Sequence, residues 1–215
     1  MYIPRHFAVE DLDQIAGFVD AVGAADLVTF DGARPVATLL PVSWERSGEG
    51  HGRLLGHMAV ANPQWSTASD EALALAIVHG PQAYVSPSWY PSRAKDGRVV
   101  PTWNYTAVHF TGRVTFHQDP QWLRDVVTRL TERYEHDRPQ RWWVADAPSA
   151  YIDGQLRGIV GVEMSIVTVE AKNKLSQNRS AADQASVIAG LRGEGTAEAA
   201  AVADLMDHGA AGSAG

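Results

Sequence analysis

The histidines carry the most versatile chemistry in this chain, because imidazole can bind a metal or transfer a proton near neutral pH. The 215 residues include eight histidines, at positions 6, 51, 57, 79, 109, 117, 136 and 208, and no cysteine. None follows the HxH or HExxH spacing of common zinc sites. A haem iron needs only an axial histidine, since the porphyrin supplies the other ligands, so the spacing leaves haem open. The alternative for His57, His79 and His109, which lie in strand-like runs, is a hydrogen-bonded structural role.

Three turn-flanked stretches combine tryptophan with small polar side chains: Asn62–Trp65, Ser86–Pro91 and Pro101–Tyr105. Aromatic faces stack on a planar ligand, while amide and hydroxyl groups bond its polar edges. Packing in the core or at an interface is the alternative for any one of these rings. Three such stretches in one chain favour a pocket for a planar cofactor.

The run from Lys172 to Arg179 mixes cations with amide and hydroxyl donors, so it could hold a phosphate or a carboxylate. A solvated loop leading into a helix is the alternative. The chain lacks the GxxxxGK[ST] and GxGxxG nucleotide loops and the context of a nucleophile elbow.

Charge and hydropathy limit the partners of the protein. The net charge is −7, and residues 193–215 add four acidic side chains without any lysine or arginine, which argues against a nucleic acid partner. No apolar run has the length of a membrane span, and the start of the chain lacks the apolar region of a signal peptide. A cytoplasmic protein without membrane partners is expected.

The hydrophobic pattern predicts a strand-rich domain over residues 1–192 and an acidic Ala/Gly-rich tail over 193–215, partly disordered, with a short helix around 197–207. Helices are predicted over 9–22, from the Asp119–Pro120 cap onwards, and over 180–191. Strands are predicted between them, with a hairpin at Asp31–Gly32: 27–30, 36–42, 54–60, 73–78, 83–86, 99–105, 106–117 and 158–170. This order fits a mainly β, α+β barrel with peripheral helices.

Four ordered motifs, GHMAVANPQW, GPQAYVSPSWY, VPTWNYTAVHFTGRV and KLSQNRSAADQ, resemble the PaiB family, whose members are usually described as FMN-binding negative transcriptional regulators. The resemblance extends from the start of the chain to about Leu191. It implies a split β-barrel related to the pyridoxamine phosphate oxidases. It also implies a homodimer with the cofactor in the groove between subunits.

Two positions depart from the family pattern. Val60 stands where the family's HxARAN motif has arginine, and Leu39 stands where ATHLP often has histidine. An arginine at the position of Val60 would bind the flavin phosphate through two hydrogen bonds, so its loss weakens the case for FMN. With this departure the chain resembles the piperazate synthases, a branch of PaiB-like proteins that use haem b as the cofactor. Those enzymes form the intramolecular N–N bond that converts δ-N-hydroxy-L-ornithine, a small amino-acid substrate, into L-piperazic acid.

Under this resemblance His57 is the expected iron ligand, with His79 and His109 as lesser candidates. The other expected roles fall into three sets: Trp103 and Asn104 line the cofactor; Lys172, Lys174 and Arg179 pair with propionates or with the substrate carboxylate; and Tyr90, Lys95 and Tyr105 are the candidate catalytic groups. Two alternatives stay open. One is an FMN-binding regulator or flavin reductase, and the other is a cofactor-free dimeric module with the same barrel.

Overall fold

The computed structural model describes residues 1–46, 50–69 and 72–212. The strands are β1 (Ala8–Val9), β2 (Ala24–Phe30), β3 (Pro35–Glu45), β4 (Arg53–Ala59), β5 (Ala74–Val85), β6 (Thr102–His117) and β7 (Ile159–Lys174). The helices are α1 (Leu12–Val22), α2 (Gln64–Thr67), α3 (Arg93–Asp96), α4 (Pro120–Glu135), α5 (Ser149–Leu156), α6 (Ala181–Gly193) and α7 (Ala197–Gly212). Short 3-10 turns cover Arg5–Phe7, Pro87–Trp89 and Val144–Asp146.

The strands form one antiparallel sheet in the order β1-β7-β4-β3-β2-β5-β6, and β6 also pairs with β7. Because β6 also pairs with β7, the six strands from β2 to β7 form a closed ring. This confirms the α+β barrel predicted from the sequence. The chain forms two compact units: residues 1–15, 79–108 and 170–215 make the first, and residues 16–78 and 109–169 make the second. The long strands β5, β6 and β7 contribute residues to both units.

Local sequence signals account for the ends of several elements. In the β2–β3 hairpin the Asp31 carboxylate accepts hydrogen bonds from the backbone N–H groups of Ala33 and Arg34, so the predicted turn is confirmed. Helix α4 begins at Pro120 because Asp119 caps it, accepting from the N–H of Trp122 at 2.8 Å. Ser180 caps α6 in the same way.

In the second unit, the barrel strands enclose an apolar core that includes Leu27, Leu40, Leu54 and Met164. Gly112 shows how closely β6 approaches β7 there. A Cβ atom at Gly112 would lie 2.2 Å from the backbone oxygen of Ser165, which leaves no room for a side chain. Helix α4 covers part of β4 through Leu55, Val126 and Leu130.

In the first unit, the core joins the end of β5 to the C-terminal helices. Its buried residues are Ala83, Val85, Tyr90, Leu175, Val187, Leu191, Ala199, Val202, Ala203 and Met206. Trp89 packs against this core and lies on Gly190, where a Cβ atom would come within 2.4 Å of its Cδ2. Helix α7 therefore supplies core residues through four apolar side chains on one face.

The structure corrects several predicted boundaries. The runs 73–78 and 83–86 belong to one strand, β5, which continues through Gly80 and Pro81, and the runs 99–105 and 106–117 belong largely to one strand, β6. Helix α5 was missed, because its hydrophobic pattern is weak. The helix expected around 197–207 extends over Ala197–Gly212, and the predicted disorder of the last residues, 213–215, lies outside the described residues. No helix in the described part of the chain is both long and apolar enough to span a membrane.

The contact between Gly190 and Trp89 generates a stability prediction. We expect Gly190→Ala to lower the free energy of unfolding by about 1–3 kcal/mol, because the added methyl group must displace the indole. The control is Gly17→Ala in α1, where nothing lies within 4 Å of the new Cβ atom. We expect the control to leave stability unchanged or to raise it by up to about 1 kcal/mol. Urea unfolding of the two variants checks this, and equal stabilities would contradict it.

Candidate functional site

Aromatic and cationic side chains gather on β5, β6 and β7 in the first unit. We call this group the aromatic–cationic cluster: Tyr84, Trp103, Tyr105, Lys172 and Lys174. The Tyr84 and Trp103 rings meet edge to face at 6.4 Å, and Trp103 Nε1 donates to Gln82 Oε1 at 3.1 Å. Lys172 Nζ lies 5.0 Å from the centre of the Tyr105 ring, and Lys174 Nζ donates to Thr102 Oγ1 at 2.6 Å and to Trp103 O. Flat rings beside cations suit a planar anionic ligand.

Among the residues that the structure describes, the two lysines of the cluster have no anionic partner. Lys172 is 6% exposed, and its ammonium group donates to Tyr2 O at 3.1 Å. No carboxylate of the described residues lies within ion-pair distance of Lys172 or Lys174. Burial lowers the pKa of Lys174, and the charges of Lys172 and Arg179 lower it further. A desolvated cluster of cations is costly until an anion joins it, so this arrangement favours binding of a phosphate or a carboxylate.

Arg179 and Tyr90 form a second cation–aromatic contact in the first unit. The guanidinium carbon lies 4.8 Å from the centre of the Tyr90 ring. Tyr90 is almost fully buried, and its hydroxyl oxygen has no hydrogen-bond partner among the described residues. Lys95 is exposed in the short helix α3. The structure thus gives the three candidate catalytic groups, Tyr90, Lys95 and Tyr105, different surroundings, and their roles stay predictions.

Asn104 is fully buried, and its side-chain amide is engaged within the protein. It exchanges hydrogen bonds with the Ser176 hydroxyl at 3.1 and 3.2 Å, and it lies 3.4 Å from Met206 Sδ. Among the described residues, Ser176 is the one non-glycine residue with a positive φ, at 65°. The hydrogen bonds to Asn104 help to hold this unfavourable backbone conformation. Asn104 therefore has a structural role, whereas its expected contact with a cofactor stays a prediction.

His57 lies on β4 in the second unit, half-buried and opposite Gly161 of β7. Its Nδ1 atom is inaccessible and has no hydrogen-bond partner among the described residues, which leaves Nε2 as the nitrogen open to a ligand. Burial lowers the pKa of the imidazole, so the ring is kept in its neutral form. Neutral imidazole is the form that binds a metal.

The other predicted ligands lie elsewhere: His79 is exposed on β5, and His109 is half-buried on β6. No group of three or more histidine, aspartate and glutamate side chains that could hold a metal ion occurs within the described ranges. An iron carried by a porphyrin does not need such a group, because one histidine from the protein is enough.

A buried amide network, which the sequence analysis missed, holds the turn after His57. Gln64 is fully buried, and its amide nitrogen donates to Leu27 O, Thr29 Oγ1 and Val36 O, at 3.0–3.1 Å. Its side-chain oxygen accepts from Thr38, which also accepts from Asn62. The Asn62–Pro63–Gln64 sequence was the available signal, and it was interpreted as part of a turn-flanked stretch that could line a cofactor pocket, not as a buried network.

The two positions that depart from the family pattern are both apolar and exposed. Val60 is 42% exposed and Leu39 is 65% exposed. Val60 follows β4 directly, and its carbonyl oxygen accepts a hydrogen bond from Trp65 Nε1 at 2.9 Å. Where the family pattern places charged or polar groups, this chain therefore presents hydrocarbon surface.

The sequence comparisons identify the family. Residues 1–168 match the model of a family described as "Putative FMN-binding domain". The chain is also 36% identical over 209 residues to the protease synthase and sporulation protein PAI 2 of Bacillus subtilis, covering 96% of this chain and 97% of that protein. The chain therefore belongs to this FMN-binding domain family, which confirms the PaiB resemblance.

Two solved structures share the fold at low sequence identity. The flavocytochrome Anf3 of Azotobacter vinelandii is 15% identical with a TM-score of 0.57, over 80% of this chain and 72% of that chain. The FAD and heme binding protein of Mycobacterium smegmatis is 14% identical with a TM-score of 0.57, over 83% and 78%. These similarities establish the barrel architecture, as the sequence analysis predicted.

The depressed pKa of His57 generates a pH prediction. As the pH falls below the usual value of 6.5, the unfolded chain takes up a proton at this position before the folded protein does. Stability from the neutral imidazole is thus present above pH 6.5 and is lost as the pH falls. We expect His57→Gln to lose less unfolding free energy than the wild type between pH 7.5 and pH 5, measured by urea unfolding. His136→Gln, which removes an exposed histidine, is the control, and an unchanged slope in His57→Gln would contradict the prediction.

Proposed function

We propose that this protein is a haem-dependent enzyme of the piperazate synthase type, which forms an intramolecular N–N bond in δ-N-hydroxy-L-ornithine. The observation that carries the proposal is His57, a neutral, half-buried imidazole whose Nδ1 has no hydrogen-bond partner among the described residues. Two neighbours of the same fold, described as a flavocytochrome and as a FAD and heme binding protein, support a haem site on this architecture.

His57 is the residue that would hold the haem iron. Because burial keeps the imidazole neutral, the ring carries a single proton, and with that proton on Nδ1 the Nε2 atom would coordinate iron without releasing a second proton. The apolar Val60 and Leu39 suit contact with a hydrocarbon ring edge better than contact with a flavin phosphate, which requires charged or hydrogen-bonding partners. When bound, haem iron supplies a Lewis acid for activation of the N–O bond of a hydroxylamine.

The cations of the first unit are proposed to bind carboxylates. Lys172 and Lys174 lack carboxylate partners among the described residues, and Arg179 lies over the Tyr90 ring. The carboxylate of a bound ligand would neutralise this charge, and Trp103, which is 47% exposed, offers a ring face beside it.

The reaction needs a proton acceptor. The α-amine must lose a proton to attack the hydroxylamine nitrogen, the N–N bond forms as the N–O bond breaks, and the hydroxyl group leaves as water. Tyr90, Lys95 and Tyr105 are the proposed candidates for proton transfer. Of these, Tyr105 contacts the Lys172 ammonium group, and the buried Tyr90 hydroxyl is unpaired within the described part of the chain. A homodimer, as the PaiB resemblance implies, is part of the proposal.

An FMN-dependent function is the second candidate, as a PaiB-type regulator or a flavin reductase. The family match favours it, and Lys172 and Lys174, which have no carboxylate partner among the described residues, could receive the flavin phosphate. A yellow protein that releases flavin on denaturation would replace the haem proposal with this one.

The absorption spectrum of the purified protein, before and after haem is added, tests the proposal. We expect a Soret band in the wild type, and its loss or a large reduction in His57→Ala, because that variant lacks the iron ligand. The matched control is His79→Ala, which removes an exposed histidine from β5 and should keep the band. A wild type without a Soret band after haem addition, or a His57→Ala variant with an unchanged spectrum, would contradict the assignment.

Turnover of δ-N-hydroxy-L-ornithine by the haem-loaded protein tests the finer part of the proposal. We expect L-piperazic acid and water as products. Tight haem binding without this product would keep the ligand assignment and reject the substrate.

A further inference from the structure

We propose that Trp122 is a positioning residue for His57. In this view the indole takes the place of a cross-strand partner side chain, shields Nδ1 and directs Nε2 outwards. The inference rests on the proposed function in one respect, which is that His57 binds the haem iron. The contacts that support it all lie within the second unit.

The strand register defines the empty position beside His57. Strands β4 and β7 are antiparallel, and His57 pairs directly with Gly161. Directly opposed residues of such a pair place their side chains on the same face, with Cβ atoms about 4.5–5.5 Å apart. Gly161 has no side chain, so no residue of β7 fills the space beside the imidazole at this pair.

The Trp122 indole occupies that position. A Cβ atom on Gly161 would lie 2.0 Å from Trp122 Cζ3 and 2.7 Å from Cε3. Trp122 also packs against the cluster that contains Leu55, which lies two residues before His57 and therefore on the same face of β4. The six-membered ring of the indole thus lies against Gly161, the residue paired with His57, and Trp122 packs against the cluster that includes Leu55.

Several contacts fix the indole. The backbone N–H of Trp122 donates to Asp119 Oδ1 at 2.8 Å, which holds the first turn of α4 in place. The His117 ring stacks on the indole with a centroid distance of 4.0 Å and an interplanar angle of 14°. His117 Nε2 in turn lies 2.9 Å from Glu163 Oε2, and the other oxygen of Glu163 accepts from Arg53 at 3.1 Å. The indole is therefore held between the backbone at Gly161 and an imidazole that is itself held by a carboxylate.

The state of His57 Nδ1 shows why this packing matters. A histidine that ligates a metal usually donates its other N–H to a carboxylate or a carbonyl, which fixes the orientation of the ring. Here Nδ1 is inaccessible and unpaired among the described residues. The orientation of the imidazole must then come from packing, and the geometry points to Trp122 as the group that provides it.

The first experiment uses NMR of the protein without haem at one fixed pH, so that it does not depend on the proposed function. The probes are the Hδ2 and Hε1 protons of His57, assigned by comparison with His57→Gln. We expect ring-current shifts in the wild type that are lost in Trp122→Leu and largely kept in Trp122→Phe. Trp142→Leu, which removes an exposed tryptophan, is the control. Unchanged His57 resonances in Trp122→Leu would overturn the proposal.

The second experiment measures haem affinity and the electron paramagnetic resonance spectrum of the ferric protein. We expect Trp122→Leu to weaken haem binding roughly 10- to 100-fold, as loss of an orienting partner does, and to broaden the iron signal, because the imidazole adopts several orientations. Trp122→Phe should restore most of both properties even if Trp122→Leu folds poorly. Altered His57 resonances with wild-type affinity and a wild-type iron spectrum would overturn the positioning role. A wild type that takes up no haem would reject the proposed function, and the NMR arm would then decide the packing claim alone.

Discussion

The pairing of β6 with β7 is the constraint on which the rest of the structure depends, because it converts an open sheet into a closed ring. At Gly112 the two strands are so close that only glycine fits. The same two strands carry four of the five residues of the aromatic–cationic cluster, Trp103, Tyr105, Lys172 and Lys174, and the Lys174 ammonium group donates to Thr102 on the neighbouring strand. The pairing of β6 with β7 therefore both closes the barrel and brings these four residues together.

A second feature of the described residues is a set of polar groups that lack either an ionic partner or a hydrogen-bond partner. Within the described residues, Lys172 and Lys174 lack carboxylate partners, and the Tyr90 hydroxyl and His57 Nδ1 lack hydrogen bonds. Each is costly in a folded protein, and such groups concentrate where a ligand or a reaction uses them. The Gln64 network shows the opposite treatment, since every polar atom of that buried side chain is satisfied. The contrast sets Lys172, Lys174, Tyr90 and His57 apart from Gln64, whose role is to support the fold.

Family membership and cofactor choice are separate questions in this fold. The model of the family is described as a putative FMN-binding domain. Two proteins with the same barrel are named as a flavocytochrome and as a FAD and heme binding protein. A few side chains at the site are enough to decide whether such a barrel binds a flavin phosphate or a porphyrin. Val60 and Leu39 are proposed to be two such side chains, because the resemblance to the PaiB family implies polar residues where this chain has exposed hydrocarbon.

The sequence by itself determined the features that depend on neighbours along the chain. Asp31 and Asp119 specified a turn and a cap, alternation specified most strands, and the four motifs specified the family. It failed at Gly80–Pro81, where two turn-forming residues lie inside the continuous strand β5. Only the tertiary structure decided that Lys172 lies over Tyr105 and that Trp122 fills the space above Gly161. These contacts join residues that are distant in the sequence, so strand register and packing determine them, and no local pattern of side chains encodes either one.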